Sequence, residues 1–128
     1  MSRLSLVTVV VDDYDRAIHY YTQVMGFTLL EDTPLDAGKR WVRVMPDGGG
    51  TALLLAQAAN LQQREAIGTQ AGGRVFLFLQ TDDFVSVFQR MSAAGVKFRE
   101  HPRKENYGMV AVFEDIYGNL WDLVQLNK

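Results

Sequence analysis

No cysteine occurs among the 128 residues, which excludes disulfides, thiolate metal sites and a cysteine nucleophile together. No apolar run approaches the length that crosses a bilayer, and Met1-Ser2-Arg3-Leu4 leads into an alternating pattern without an apolar signal core, so the chain is expected in the cytoplasm and away from membranes. A large excess of charge of either sign is also missing. Lys+Arg 13 against Asp+Glu 15 leaves a net charge of −2, with no basic run able to track a phosphate backbone, and no nucleic-acid partner is expected. There is no Gly-x-Ser-x-Gly and no Gly-x-x-x-x-Gly-Lys; Gly48-Gly49-Gly50 joins two strand patterns and opens no helix. Nucleotide binding is therefore unsupported, and no low-complexity segment is present. What remains is a globular composition, 48% hydrophobic and 22% charged, at a length that buries roughly two thirds of the unfolded surface.

Within that composition the chain repeats itself. Val9-Val10-Val11-Asp12-Asp13-Tyr14 opens a segment running to Met25-Gly26-Phe27, and Leu79-Gln80-Thr81-Asp82-Asp83-Phe84 opens one running to Ala94-Gly95-Val96. Asp13 and Asp83 are 70 apart, Gly26 and Gly95 are 69 apart, and Gly50 and Gly118 are 68 apart. A slowly drifting offset is the mark of two copies of one module.

Each copy reads strand, helix, then three strands. In the first, a β-branched run from Leu4 to Val11 precedes apolar residues at 14, 17, 18, 21, 24 and 25, the spacing of a helix face. Asp13 is placed to accept from free N–H groups of the first turn, and Gly26 to end the last in a left-handed conformation. Strands follow at Phe27–Glu31, Arg40–Met45 and Thr51–Gln57, parted by turn-rich stretches. The second copy predicts a strand at Val75–Gln80, a helix from Asp83 with apolar residues at 84, 87, 88 and 91, and strands at Val96–Arg99, Met109–Phe113 and Leu120–Leu126. Asn60–Ile67 reads as a short helix capped by Asn60. The expected layout is an α+β fold of two tandem βαβββ modules, at 1–58 and 74–128, joined by a linker at 59–73 in one domain.

The tandem modules, Val-x-Asp before a helix ending in Tyr-x-x-x-x-Gly-Phe (Tyr21 to Phe27), and Asp-x-x-Gly-Asn-x-Trp-Asp (Asp115 to Asp122) together resemble the vicinal oxygen chelate superfamily. That superfamily includes glyoxalase I, the extradiol dioxygenases and the bleomycin resistance proteins. The resemblance covers nearly the whole chain and implies curved mixed sheets around a cavity. In metal-using members it also implies four ligands, which fall here on Leu6, Leu54, Phe76 and Asp122. One carboxylate cannot hold an ion that wants four to six donors. The resemblance is therefore to the metal-free, bleomycin-resistance-like branch, with no metal and no cofactor expected.

Residues two apart in a strand share a face. If Leu6, Leu54, Phe76 and Asp122 point into a cavity, so do Thr8, Val10, Ala52, Ala56, Phe78, Gln80, Leu120 and Val124, while Val9, Leu55, Leu77, Trp121 and Leu123 pack beneath the helices. The expected lining is apolar with a few polar marks, as small-molecule sites are. The candidate ligand-binding residues are Thr8, Arg40, Trp41, Phe76, Phe78, Gln80, Tyr107 and Asp122. Arg40, Trp41 and Tyr107 enter as residues at the cavity mouth able to grip an anion or stack on a ring. Asp122 is the one candidate catalytic group: desolvation would raise its pKa and suit it to act as a base, whereas a neighbouring Arg43 or Arg74 would cancel the shift. His19 and His101 are expected in solvent. The function expected is metal-independent binding of an aromatic or apolar small molecule by a homodimer. The alternative is an enzyme of the same superfamily, a lyase, isomerase or dioxygenase relative.

Overall fold

In the computed structural model, which describes residues 1–128, the chain divides into two compact units, Met1–Ile67 and Gly68–Lys128. Each contains one mixed sheet with its helix on one face.

In the first unit, strand β1 (Leu6–Val11) pairs in parallel with β4 (Ala52–Gln57), and β4 continues antiparallel through β3 (Arg40–Met45) to β2 (Thr28–Pro34). Alternation separates the faces: Val9, Val11, Val42, Val44 and Leu55 are wholly buried, whereas Thr8, next to buried Val9, is exposed. The buried face is covered by helix α1 (Tyr14–His19), whose first turn is capped by Asp13 Oδ2 accepting from Arg16 N at 2.9 Å. Beyond His19 the helix widens to a π-helical turn over Tyr20–Val24, closed by Met25 N donating to Tyr20 O. The wider turn lets consecutive rings enter the core, so Tyr20 is buried although it lies off the 3.6-residue stripe. Tyr21, with no exposed surface, packs edge-on against Tyr20 at 5.4 Å and against Phe27 at 5.8 Å. A short helix α2 (Leu61–Ala66) follows β4, capped as expected by Asn60, whose Oδ1 accepts from Gln63 N at 2.9 Å.

The second unit repeats the plan with β5 (Val75–Gln80), helix α3 (Phe84–Ala93), β6 (Lys97–Phe98), β7 (Arg103–Glu105), β8 (Gly108–Glu114) and β9 (Leu120–Leu126). β5 is parallel to β9, β9 antiparallel to β8, and both β6 and β7 are antiparallel to β8. The sequence pattern predicts one strand where the structure has two. Chain pairing breaks after Phe98, Pro102 has no N–H to donate, and the gap is filled by a side chain: Glu100 Oε2 accepts from Val112 N at 2.9 Å while Arg99 N donates to Val112 O at 2.8 Å. Helix α3 is capped by Asp83 and tied to β9 through Gln125 Oε1, which accepts from Phe84 N at 2.7 Å. Beneath it a chain of rings, Phe84, Phe88, Phe98, Phe113 and Trp121, runs with successive centroids 6.0, 4.4, 5.4 and 5.6 Å apart.

The β8–β9 turn is organised by one buried carboxylate. Asp115 Oδ1 accepts from Tyr117 N at 2.9 Å and Asn119 N at 3.1 Å, and Oδ2 accepts from Asn119 Nδ2 at 3.0 Å and Trp121 Nε1 at 3.2 Å. Gly118, at φ 94°, supplies the left-handed step that lets its N–H reach Asp115 O. The motif Asp115-x-x-Gly118-Asn119-x-Trp121 is thus a hairpin device that sends Trp121 into the aromatic core and turns Asp122 to the other face. Asp115→Ala strands four donors, two of them on the buried Asn119 and Trp121 side chains, and is expected to destabilise the protein by about 3 kcal/mol, read as a shifted denaturant midpoint with unchanged slope.

Candidate functional site

Asp122 emerges from this turn on the face of β9 opposite Trp121, with Phe78 beside it on β5 and Val112 beside it on β8. Its Oδ1 is buried and has no hydrogen-bond partner in the protein. Burial pushes the carboxyl above its ordinary value; Arg103 works against this and Glu100 with it. These two charges are themselves paired, Arg103 Nε lying 2.9 Å from Glu100 Oε1 and Arg103 NH1 reaching Glu105. For Glu100 burial acts upward, but the Arg103 hydrogen bond and the Val112 N–H outweigh it and hold the carboxyl below its usual range. Of the arginines that alternation offered as partners for Asp122, Arg43 pairs with Glu31 at 3.1 Å and Arg74 lies just before β5.

Three of the other expected residues share this unit's open face or its end. Phe78 is 68% exposed, and Gln80, two residues on, is exposed as well. Val124 opposite Gln80 is buried. Phe76 falls at a register irregularity between Val75 and Leu77, a bulge that alternation along the sequence cannot reveal. Tyr107 is not beside Asp122. It precedes Gly108, which pairs with Leu126, about 13 Å along β9 from Asp122.

In the first unit, Thr8 pairs with Leu54 and Leu54 with Arg43, so these residues lie side by side across the open face. Trp41, two residues from Arg43, is on the same side and 37% exposed. Its neighbour Arg40 is on the helix side: Tyr14 Oη accepts from Arg40 N, the guanidinium lies 5.1 Å over the Tyr14 ring, and it is held by Asp15 at 2.9 Å and Asp32 at 2.8 Å. Adjacent strand residues cannot share a face, which separates the pair Arg40 and Trp41. His19 and His101 are exposed.

A cavity of about 340 Å³ opens at the β5–β9 end of the second sheet, where Arg74, Phe76, Arg99, Asn119 and Leu120 contribute to the wall. The segment Gly68–Gly73 forms one side of it and approaches the turn closely, since a Cβ on Gly68 would overlap the Tyr117 carbonyl. Arg99, Asn119, Glu100 and Arg103 were not singled out by the sequence. The last two lie in the charged stretch 99–105, and Asn119 in the Asp115 motif, so the only signals were charge density and turn chemistry.

The positions where the resemblance implies metal ligands hold Leu6, Leu54, Phe76 and Asp122. A single carboxylate among hydrocarbon side chains does not fit a divalent ion, and nowhere do three His, Asp or Glu side chains gather as a metal site.

Because the folded chain holds the Asp122 proton more tightly than the unfolded chain, stability falls as pH rises from the ordinary aspartate value of 3.8 through the raised one. Asp122→Asn removes that cost. At neutral pH the variant is expected to unfold at higher denaturant concentration than the wild type, the gap closing as pH drops below 3.8; a gap independent of pH would contradict this.

The sequence model of the Glyoxalase/Bleomycin resistance protein/Dioxygenase superfamily matches residues 3–123. A protein of Shewanella frigidimarina is 54% identical over 123 residues, covering 94% of this chain and 91% of its own. The crystal structure of TnmS3, an antibiotic binding protein from Streptomyces sp. CB03234, superposes with a TM-score of 0.79 at 32% identity, covering 99% of this chain and 98% of that one. UcmS2 superposes with a TM-score of 0.83 at 29% identity, covering 97% and 98%. No helix is long and apolar enough to cross a membrane. With its repeated modules, its mixed sheets and a family match from residue 3 to residue 123, the chain belongs to the glyoxalase/bleomycin resistance protein/dioxygenase superfamily.

Proposed function

We propose that the protein binds an aromatic or largely apolar small molecule without using a metal, in the manner of the bleomycin-resistance-like members of its superfamily. The observation that carries this reading is the open face of the second sheet, where an exposed phenylalanine, Phe78, stands beside a carboxylate whose buried Oδ1 has no protein partner. An exposed ring in an apolar setting rewards a flat guest, and a lone acceptor beside it fixes a donor on that guest. The likeness to TnmS3, an antibiotic binding protein, supports the same reading. Asp122 also supports a second one. A desolvated carboxyl with a raised pKa is suited to take a proton from a bound substrate, as a lyase or isomerase of this superfamily would require.

A neutral planar probe, 9-anthracenemethanol, tests the first reading. Phe78 is mostly solvent-facing, so Phe78→Ala leaves the fold intact; covering that ring contributes about 1.5 kcal/mol at roughly 25 cal/mol per Å², and the variant is expected to bind the probe about tenfold more weakly by fluorescence titration. Equal affinity for both proteins would remove Phe78 from the site. Turnover lost in Asp122→Asn with binding retained would favour the second reading.

The open faces of both sheets also carry exposed apolar side chains, Trp41 in the first unit and Phe78 in the second. Such faces are covered in the assembly proposed for this protein, a twofold homodimer. Light scattering is expected to give twice the chain mass across a wide dilution series. A constant single-chain mass would refute the dimer.

A further inference from the structure

The wall of the cavity at the end of β5 and β9 has a charge imbalance that the structure leaves unresolved. Glu114 Oε2 is shared by Arg99 NH1 at 3.0 Å and Lys97 Nζ at 3.4 Å, so one carboxylate faces two cations. Arg74, also in the wall, pairs with no carboxylate and makes no side-chain hydrogen bond. It is delivered there by Gly72 and Gly73, both left-handed at φ 65° and 93°, in a turn that Arg74 N closes on Ala71 O at 3.3 Å. Of the two cations in the wall, Arg99 thus shares one acid with Lys97 and Arg74 has none, at the rim of a space of about 340 Å³, enough for a bicyclic aromatic. Phe76 and Leu120 supply apolar wall. Asn119 lies in the wall too, almost wholly buried, and its Oδ1 has no protein partner.

We propose that this cavity binds an aromatic carboxylate, with Arg74 as the principal counter-charge, Arg99 assisting it, and the ring against Phe76 and Leu120. The proposal rests on the small-molecule reading above and sharpens it by assigning a charge to the guest. A guanidinium matches a carboxylate with two parallel N–H donors, a geometry that a point charge does not offer, so the arginine selects a planar anion over a neutral isostere. Farther along β9 the Asp122 carboxylate stands near Glu100 and Arg103, and that arginine is already held by Glu100 and Glu105, so no unpaired cation awaits an anion there. The anionic group therefore belongs at the Arg74 end, and a neutral or donor-bearing group at the Asp122 end.

Three probes of one shape test this: 2-naphthoate, 2-naphthylmethanol and 2-naphthylmethylamine, titrated calorimetrically against wild type, Arg74→Gln and Arg74→Gln/Arg99→Gln. Arg74 is exposed, and thermal melts of both variants are expected to match the wild type. The wild type should prefer naphthoate to the alcohol by roughly tenfold, about the worth of a charge-assisted pair, with the amine weakest and the preference shrinking as salt is raised. Arg74→Gln should lower naphthoate affinity by most of that factor and leave the alcohol unchanged; the double variant should abolish the preference. If the alcohol binds as well as naphthoate in the wild type, or if the preference survives in the double variant, the anion assignment is wrong while the apolar-ligand reading stands. If none of the three binds, both fail for flat aromatic guests.

Discussion

The carboxylate of Asp115 is the interaction on which the second unit depends. Four donors converge on it within seven residues, from the Tyr117 and Asn119 backbones and the Asn119 and Trp121 side chains. A charged acceptor buried among donors is stabilised by them, and the same bonds fix where β9 begins. Since side chains alternate along a strand, the starting residue decides which of Trp121 and Asp122 meets the helix. Trp121 enters the ring stack ending at Phe84, and Asp122 is left facing outward beside Phe78. One residue of slip would bury the acid and expose the indole.

That register also distributes charge along the sheet. Near the Asp115 turn the cavity wall carries two arginines, Arg74 unpaired and Arg99 sharing Glu114 with Lys97. Around Asp122 both signs are present: Glu100, which completes the interrupted ladder at Val112, raises the carboxyl, but Arg103 lowers it by more, so burial and not nearby charge accounts for the upward shift. An apolar stretch containing Phe76 and Phe78 separates the two. The break between β6 and β7 is therefore more than a packing irregularity: the side chain that repairs it also tunes the acid at the candidate site.

The two units use one topology for different surfaces. In both, the first strand pairs with the last and the helix covers one face. In the first unit the arginine beside the third strand's tryptophan is drawn to the helix side by Tyr14, Asp15 and Asp32, and Arg43 is occupied by Glu31. Its open face is left with Thr8, Leu54 and Trp41. The unpaired arginine of the second unit, Arg74, has no such acidic neighbours, and this difference in pairing, not a difference in fold, is what singles out the second unit's cavity.

Much of this was legible in the residues alone. The repeat at an offset near 70, the alternation in β1, β4, β5 and β9, and the helix caps Asp13, Asn60 and Asp83 are local properties, set by side-chain period and by hydrogen bonds spanning three residues. The hydrocarbon at three of the four positions where the resemblance implies metal ligands was equally plain, because ligand chemistry belongs to the side chain and not to its setting. The bulge at Phe76, the split of β6 from β7, the partners of Arg40 and Arg43 and the freedom of Arg74 were not. Each depends on which groups from distant segments arrive within about 3 Å of one another, a distance at which hydrogen bonds form or fail. Sequence determined the modules, their faces and the donors available; tertiary structure decided which charges were neutralised and which were left unpaired, because ion pairing is a property of positions in space.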